Sequence, residues 1–378
     1  MLPMARITAV LLTLLCLAAP AVAHDPSAWG GLFRSRDDGG SWLPVDADLF
    51  IGAALAVAVS PTDPNHLLYA TDSRLMRSRN GGRDWNHEAA DRVFGPTLAV
   101  AFGTTGKTML ASGGSGLFRS QGDARWDAVD APRGVAPARA IVATGDSQFV
   151  LAGPGGLFRS TDDGRTWTRA SGAPPEAPAT ALVVVSAKSS AHLVAVVGGN
   201  AWESRDAGAT WTPVVSGLPA GRVEAVVPDP AGAGLWAFAA DRVHTTIDGA
   251  WQPRGAPLQP AGTSVRGLAV ADSGKSLVLA THRGLLRSTD GGVTWAQVQG
   301  ALPTHLESGI LQRDPHDTRT LYTGFALNPY PELWRRAEES AARLNRIDPW
   351  NIAGGAAVVG LLLIGGVSGV RYLRRKRG

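Results

Sequence analysis

The chain predicts an all-β fold: a seven-bladed β-propeller of four-stranded blades, closed by pairing of its N- and C-terminal strands, with a C-terminal transmembrane helix. Three observations carry this. A short phrase ending in tryptophan recurs seven times at Trp42, Trp85, Trp126, Trp167, Trp211, Trp251 and Trp295, with spacings of 43, 41, 41, 44, 40 and 44 residues. Each phrase follows two apolar runs of strand length, and four short strands in 40–45 residues is the period of a propeller blade. Near the C-terminus, 19 uncharged residues (352–370) run without interruption.

Residues 1–23 come first. They hold one basic residue, Arg6, an apolar run from Ile7 to Ala19 and the small-x-small end Ala21-Val22-Ala23. This is the pattern of a secretory signal peptide. The single cysteine, Cys16, lies within it, so the segment after it has no disulfide. The formal charge of +4 hints at nucleic acid, yet Arg6 and the five basic residues of 371–378 exceed it, and the middle of the chain stands at −2. Nucleic-acid binding loses its electrostatic support.

The propeller is expected over 24–330. Runs such as "LAVAVSP" (55–61) and "ATALVVVS" (179–186) supply first strands, and "HLLYAT" (66–71) and "SLVLAT" (276–281) second ones. Phrases such as "GLFRS" give third strands, and the fourth begins at the tryptophan. Residues 29–45 contain only the last two strands of a blade and 305–326 only the first two, so the termini complete the seventh blade together. Closure of this kind removes free sheet edges.

The turn before each tryptophan reads S-x-D-x-G-x-[ST]-W in four copies: Ser35/Asp37/Gly39/Trp42, Ser160/Asp162/Gly164/Trp167, Ser204/Asp206/Gly208/Trp211 and Ser288/Asp290/Gly292/Trp295. Asn80 replaces the aspartate before Trp85, and the copies ending at Trp126 and Trp251 are shortened. A carboxylate can hold a turn by accepting backbone N–H groups, glycine permits positive φ, and tryptophan fills space between sheets. A calcium loop would need further oxygen ligands in register and a closing glutamate, which are missing. The acidic turns are therefore expected to be structural, and neither metal nor cofactor is expected.

The pattern resembles the Asp-box of the bacterial neuraminidase repeat over 29–330. The arrangement is similar to the photosystem II stability/assembly factor family, and that resemblance implies a non-enzymatic, protein-binding scaffold for a membrane protein complex. The alternative is a sialidase-like or other glycoside hydrolase, or a glycan-binding propeller. A sialidase needs a tyrosine nucleophile, and the candidates outside the terminal segments are Tyr69, Tyr322 and Tyr330. Tyr69 and Tyr322 are expected at one repeat position, which favours packing.

Two sets of residues are candidates for partner binding. One is the arginine preceding each turn, at Arg34, Arg77, Arg119, Arg159 and Arg287, which either forms a basic rim or lies along a strand end. The other lies between second and third strands: Asp72 and Arg74, Asn200, Asp241 and Arg242, His282 and Arg283. Residues 331–350 show helical spacing of Leu333, Trp334, Ala337, Ala341 and Leu344, and are expected as a juxtamembrane helical linker, packed on the propeller or lying on the bilayer. Residues 351–370 are long enough to span a bilayer, and the basic tail 371–378 places the C-terminus in the cytoplasm. Gly365 and Gly369 give that helix a face for dimerisation. The expected location is the bacterial inner membrane, with the propeller in the periplasm and a membrane protein or complex as partner.

Overall fold

The computed structural model describes residues 29–344 except 124, 173, 175, 187–190, 215–216, 220–221, 233 and 304. The signal peptide, the transmembrane segment with its dimerisation face and the basic tail lie outside the described residues, as do 345–350 of the linker. Among the described residues no helix is long and apolar enough to cross a membrane.

Seven four-stranded antiparallel sheets form the body. Blade 1 comprises Ala54–Ser60, Asp63–Thr71, Leu75–Ser78 and Asn86–Glu88. Blades 2 to 6 repeat the pattern from inner strands Thr97–Phe102, Ala140–Gly145, Ala179–Ser186, Val223–Pro228 and Val265–Val270. The seventh blade takes Glu307–Arg313 and Leu321–Ala326 from the C-terminal side, and Gly31–Ser35 and Leu43–Pro44 from the N-terminal side. Leu321–Ala326 pairs antiparallel with Gly31–Ser35 from Gly31↔Phe325 to Ser35↔Leu321, closing the ring as the sequence predicts. Adjacent inner strands contact one another all the way round, including the seventh against the first.

The outermost strand usually begins one residue beyond the tryptophan, and in most blades is only two or three residues long. Blade 5 differs. There the shortened phrase is a two-residue turn, Asp248-Gly249, both at positive φ, joining Ile247 to its partner Ala250. That geometry follows the twist of a hairpin and needs no Asp-box, and Trp251 is still buried.

Apolar side chains from facing blades interlock to form the core. One cluster joins Leu110, Leu151, Phe149 and Trp167; another joins Trp42, Val278, Phe33 and Phe325 across the closing blade. Strand direction sorts the connections onto two faces. Links between blades and turns between second and third strands lie on one side, called here the upper face, and the Asp-boxes lie on the lower face.

Inner strands of six blades carry a register irregularity near their upper ends, for example between Ala54 and Ala56 or Val265 and Gly267. Such bulges re-aim side chains at a sheet margin. The widest, between Ser308 and Leu311, receives the one helix of the described residues, α1 (Tyr330–Leu344).

Candidate functional site on the helix-capped face

The Asp-boxes can be assigned a role from their hydrogen bonds. In the box ending at Trp167, Ser160 Oγ accepts the Gly164 N–H at 2.9 Å and donates to Asp162 Oδ1 at 2.8 Å. Asp162 accepts the Thr166 N–H at 2.9 Å and its hydroxyl at 2.6 Å, and Trp167 Nε1 donates to the Gly164 carbonyl at 3.1 Å. The boxes of Asp37, Asp206 and Asp290 repeat the serine and aspartate bonds. Although partial burial works the other way, these donors together hold the Asp162 carboxyl down at about 2.

The box glycines bear out the sequence reading and add to it. Gly39, Gly164, Gly208 and Gly292 do have φ of +79°, +81°, +81° and +90°, the left-handed backbone that favours glycine. Three of them have a second reason, invisible within one repeat. A Cβ would lie 2.4 Å from Val278 at Gly39, 2.9 Å from Leu110 at Gly164 and 2.4 Å from Val150 at Gly208, each time against the preceding blade. Gly292 departs from the other three: its nearest neighbour, Val243 of blade 5, would be 3.6 Å away, an ordinary contact. There the backbone alone demands glycine.

The box with Asn80 is a reciprocal solution. Asp84 stands where other boxes have serine or threonine, and Asn80 Nδ2 donates to Asp84 Oδ2 at 2.6 Å. Donor and acceptor have exchanged places. Restoring the repeat pattern with Asn80→Asp sets two carboxylates together, and is expected to cost about 1 kcal/mol at neutral pH. Asn80→Asp with Asp84→Thr is expected to recover it, as read by urea denaturation.

The arginine series points between blades. Arg34 Nη1 donates to the Gly81 carbonyl at 2.8 Å, Arg159 Nε to the Ala207 carbonyl at 3.0 Å, and Arg119 to both the carbonyl and the carboxylate of Asp163. Arg77 pairs with Glu88 at 2.7 Å and with Asp123 of the next blade at 3.1 Å. In each case the guanidinium grips the box turn of the following blade. Arg287 lies in the corresponding strand of blade 6. In blade 4, which lacks the arginine, Glu203 pairs with Arg205 at 3.1 Å instead.

The second set lies on the upper face, so the structure does not bring the two sets together. Arg74 Nη1 meets His87 Nε2 at 2.9 Å, Asp241 pairs with Arg222 at 3.2 Å, and the Ser264 N–H donates to His282 Nδ1 at 3.0 Å. Asn200 Nδ2 donates to the Gly198 carbonyl, and Asp72 is pushed above its ordinary value by burial. Arg242 opens the third strand of blade 5, and Arg283 N–H donates to Thr281 Oγ1. These residues are spread over blades 1, 4, 5 and 6 and form no single cluster.

The most developed feature of the upper face is the helix expected at 331–350, which packs on the propeller, the first of the two placements the sequence allows; the role of Tyr330 carries no sequence signal. α1 lies across blades 7, 1, 2 and 3, and Tyr330 plugs the mouth of the central channel. Its ring is buried; its hydroxyl donates to the Ala54 carbonyl at 2.7 Å and its N–H to Glu307 Oε2 at 3.0 Å. Arg266 spans the same place, 3.0 Å from Glu307 and with its guanidinium carbon 5.3 Å from the Tyr330 ring centroid. A Cβ at Gly309 would overlap that ring. Further along, Leu333 and Ala337 are buried, Trp334 stacks beneath Arg139 at 4.4 Å, and Arg139 pairs with Glu338 at 2.9 Å.

Two cavities follow from this placement. The central channel, about 410 Å³, is walled by all seven inner strands and capped by Tyr330, Pro331 and Trp334. A groove of about 1200 Å³ runs between the last turns of α1 (Glu338, Ala341, Ala342) and the connections of blades 2 and 3. Its floor is Gly134, Pro137, Pro154 and Gly155, and its ionic groups are Arg133, Glu176 and Glu338.

The tyrosines are committed elsewhere. Tyr69 donates to Asp46 at 2.8 Å, Tyr330 is used by the helix, and Tyr322 is buried beside Asp314. The expectation that Tyr69 and Tyr322 share a repeat position is corrected by the register. Tyr69 pairs with Met76, whereas Tyr322 pairs with Arg34, the counterpart of Arg77. They are offset by one residue, and one residue reverses the sheet face. They nonetheless meet in one cluster, because facing sides of blades 7 and 1 pack together.

No family model and no curated protein matches the chain. Among solved structures it is similar to YCF48 bound to a D1 peptide, with TM-score 0.54 and 18% identity over 73% of this chain and 94% of that one. It is also similar to YCF48 from Cyanidioschyzon merolae, with TM-score 0.53 and 16% identity over 75% of this chain and 97% of that one. At these identities the likeness shows the fold. In fold, the match agrees with the seven-bladed propeller expected from the Asp-boxes.

Proposed function

We propose that the protein is a non-catalytic scaffold that holds an extended segment of a membrane-protein client in the groove beside α1. The groove itself carries this reading. It is open and about 1200 Å³ in volume, its walls combine the helix with glycine- and proline-rich connections, and its few charges are of both signs. An extended peptide suits such a surface, since backbone and small side chains can approach closely where the walls have little side-chain bulk. The phenols a sialidase-like mechanism would draw on are buried in packing and hydrogen bonding, which supports the non-catalytic reading. That a protein of similar fold was solved with a peptide bound supports it further.

In this reading 352–370 anchors the chain, the propeller faces the periplasm, and the client is part of a membrane complex. Site-specific photocrosslinking of the full chain in its native membranes tests the assignment. A photoreactive residue in place of Ser115, in the groove, is expected to give a discrete adduct with one membrane protein. The same residue in place of Val293, on the lower face, is expected to give none. Equal adducts from both positions, or turnover of aryl glycosides by the purified chain, would overturn it.

A further inference from the structure

We propose that the upper face of the propeller, along blades 7, 1 and 2, rests on the lipid bilayer through a group of exposed aromatic and aliphatic side chains. Trp29, Phe50, Phe94 and Leu327 are 40, 64, 55 and 42% exposed. Strand direction places all four on one face. Trp29 precedes the third strand of blade 7, Leu327 follows its second strand, and Phe50 and Phe94 lie in the links leading into blades 1 and 2. Trp29 and Phe50 pack edge to face, 5.4 Å between ring centroids, and the Leu327 N–H donates to the carbonyl of Gly52, two residues from Phe50. The Trp29 and Phe50 rings therefore brace one another, and Leu327 is tied to the same link through its backbone, while much of each side chain stays exposed.

The chain itself indicates what covers them. α1 begins three residues after Leu327 and crosses this same face, ending at Leu344. Seven residues, 345–351, separate its end from the apolar run 352–370. Fully extended, they reach at most about 25 Å. If that run spans the membrane, as the proposed function holds and on which this inference rests, the face carrying α1 is the one kept against the bilayer. Tryptophan is favoured at the membrane interface, and phenylalanine and leucine supply the apolar face that surface-bound segments bury there. α1 carries Arg335, Arg336 and Arg343 against Glu332, Glu338 and Glu339, so its charge is balanced and gives no preference for anionic lipid. Apolar insertion makes the contact.

The test uses the full chain with Cys16→Ser, reconstituted in phosphatidylcholine vesicles. Single cysteines at Phe50→Cys, Phe94→Cys and Val293→Cys carry an environment-sensitive fluorophore. Lipids with a nitroxide near the ester linkage are expected to quench the label at positions 50 and 94 about two-fold and leave position 293 unchanged. The same quenching is expected when phosphatidylglycerol is added. Retention of the protein through a carbonate wash with no quenching at 50 or 94 would overturn this proposal and leave anchoring intact. Loss of the protein in the wash would remove both. Quenching that appears only with phosphatidylglycerol would replace apolar insertion by charge attraction and overturn the proposal as stated.

Discussion

Tyr330→Ala is expected to destabilise the protein by about 3–5 kcal/mol and to release α1 from the upper face. The side chain is the largest single link between helix and ring. Its removal leaves a void beneath the first turn of α1, and the Ala54 carbonyl loses its donor. Arg266 and Glu307 remain paired but lose the ring that Arg266 lies over. Two measurements read the outcome together: the thermal midpoint, and the rate at which trypsin cuts at Arg335, Arg336 and Arg343. A lowered midpoint with fast cleavage in α1 is the expected pair. Gly309→Ala should mimic it from the other side, because the added methyl occupies the space of the Tyr330 ring. Tyr330→Phe keeps the packing and loses only the hydroxyl bond, so about 1 kcal/mol is expected. If the alanine variant melts like the parent and α1 stays protected, the helix is held by Leu333, Trp334 and the Arg139–Glu338 pair instead, and the capped mouth of the channel has another cause.

The contrast between α1 and the ring shows which features a sequence exposes. Strands and turns of the blades are local, repeated seven times, and tied to a residue pattern whose physics is self-contained. The bonds among Ser160, Asp162, Gly164 and Thr166 all fall within one short turn, so reading one box reads its copies. What spans blades is different. The contacts that exclude a Cβ at Gly39 and Gly208 come from valines of the preceding blade, and no box contains them. Arg119 and Asp163 are 44 positions apart, and that the arginine grips the next box follows only once the blades are docked. A signal was present, since Arg34, Arg77, Arg119 and Arg159 recur in phase with the boxes they hold, but phase alone does not say whether a side chain turns to solvent or to its neighbour. The swapped pair Asn80/Asp84 was legible in retrospect from the aspartate at a serine/threonine position. The docking of α1 was not, because helical spacing of Leu333, Ala337 and Ala341 identifies an apolar side without identifying the surface it covers. Gly309 and the wide bulge around it, which make room for Tyr330, carry no motif.

Asp46 is a second residue without a repeat signal, and it makes the stability of the fold depend on pH. It lies in the link between blades 7 and 1, buried, where it accepts the Leu32 N–H at 3.0 Å and the Tyr69 hydroxyl at 2.8 Å. Burial outweighs both donors and pushes its carboxyl up to about 6. The folded chain therefore keeps this proton at pH values where the unfolded chain, near 3.8, has released it. Its contribution is fully present below about pH 4 and is lost as pH rises towards 6, amounting to about 3 kcal/mol. Asp46→Asn should remove this dependence, since the Leu32 N–H and the Tyr69 hydroxyl both donate to Oδ2, and an uncharged amide oxygen in that place can accept from both. Urea denaturation of parent and variant at pH 4.5, 6 and 7.5 is the measurement. The variant is expected to gain about 1.5 kcal/mol on the parent between pH 4.5 and 6, and little more between 6 and 7.5. Other groups slope the opposite way: His66 is held down at about 4 by burial, and the carboxyls of Asp162 and Asp290 are held at about 2 by their boxes. They are common to both proteins and cancel in the difference between them. A difference that stays constant across the range would mean that Asp46 is already ionised in the folded chain at pH 4.5, with the Leu32 and Tyr69 donors outweighing the burial around it.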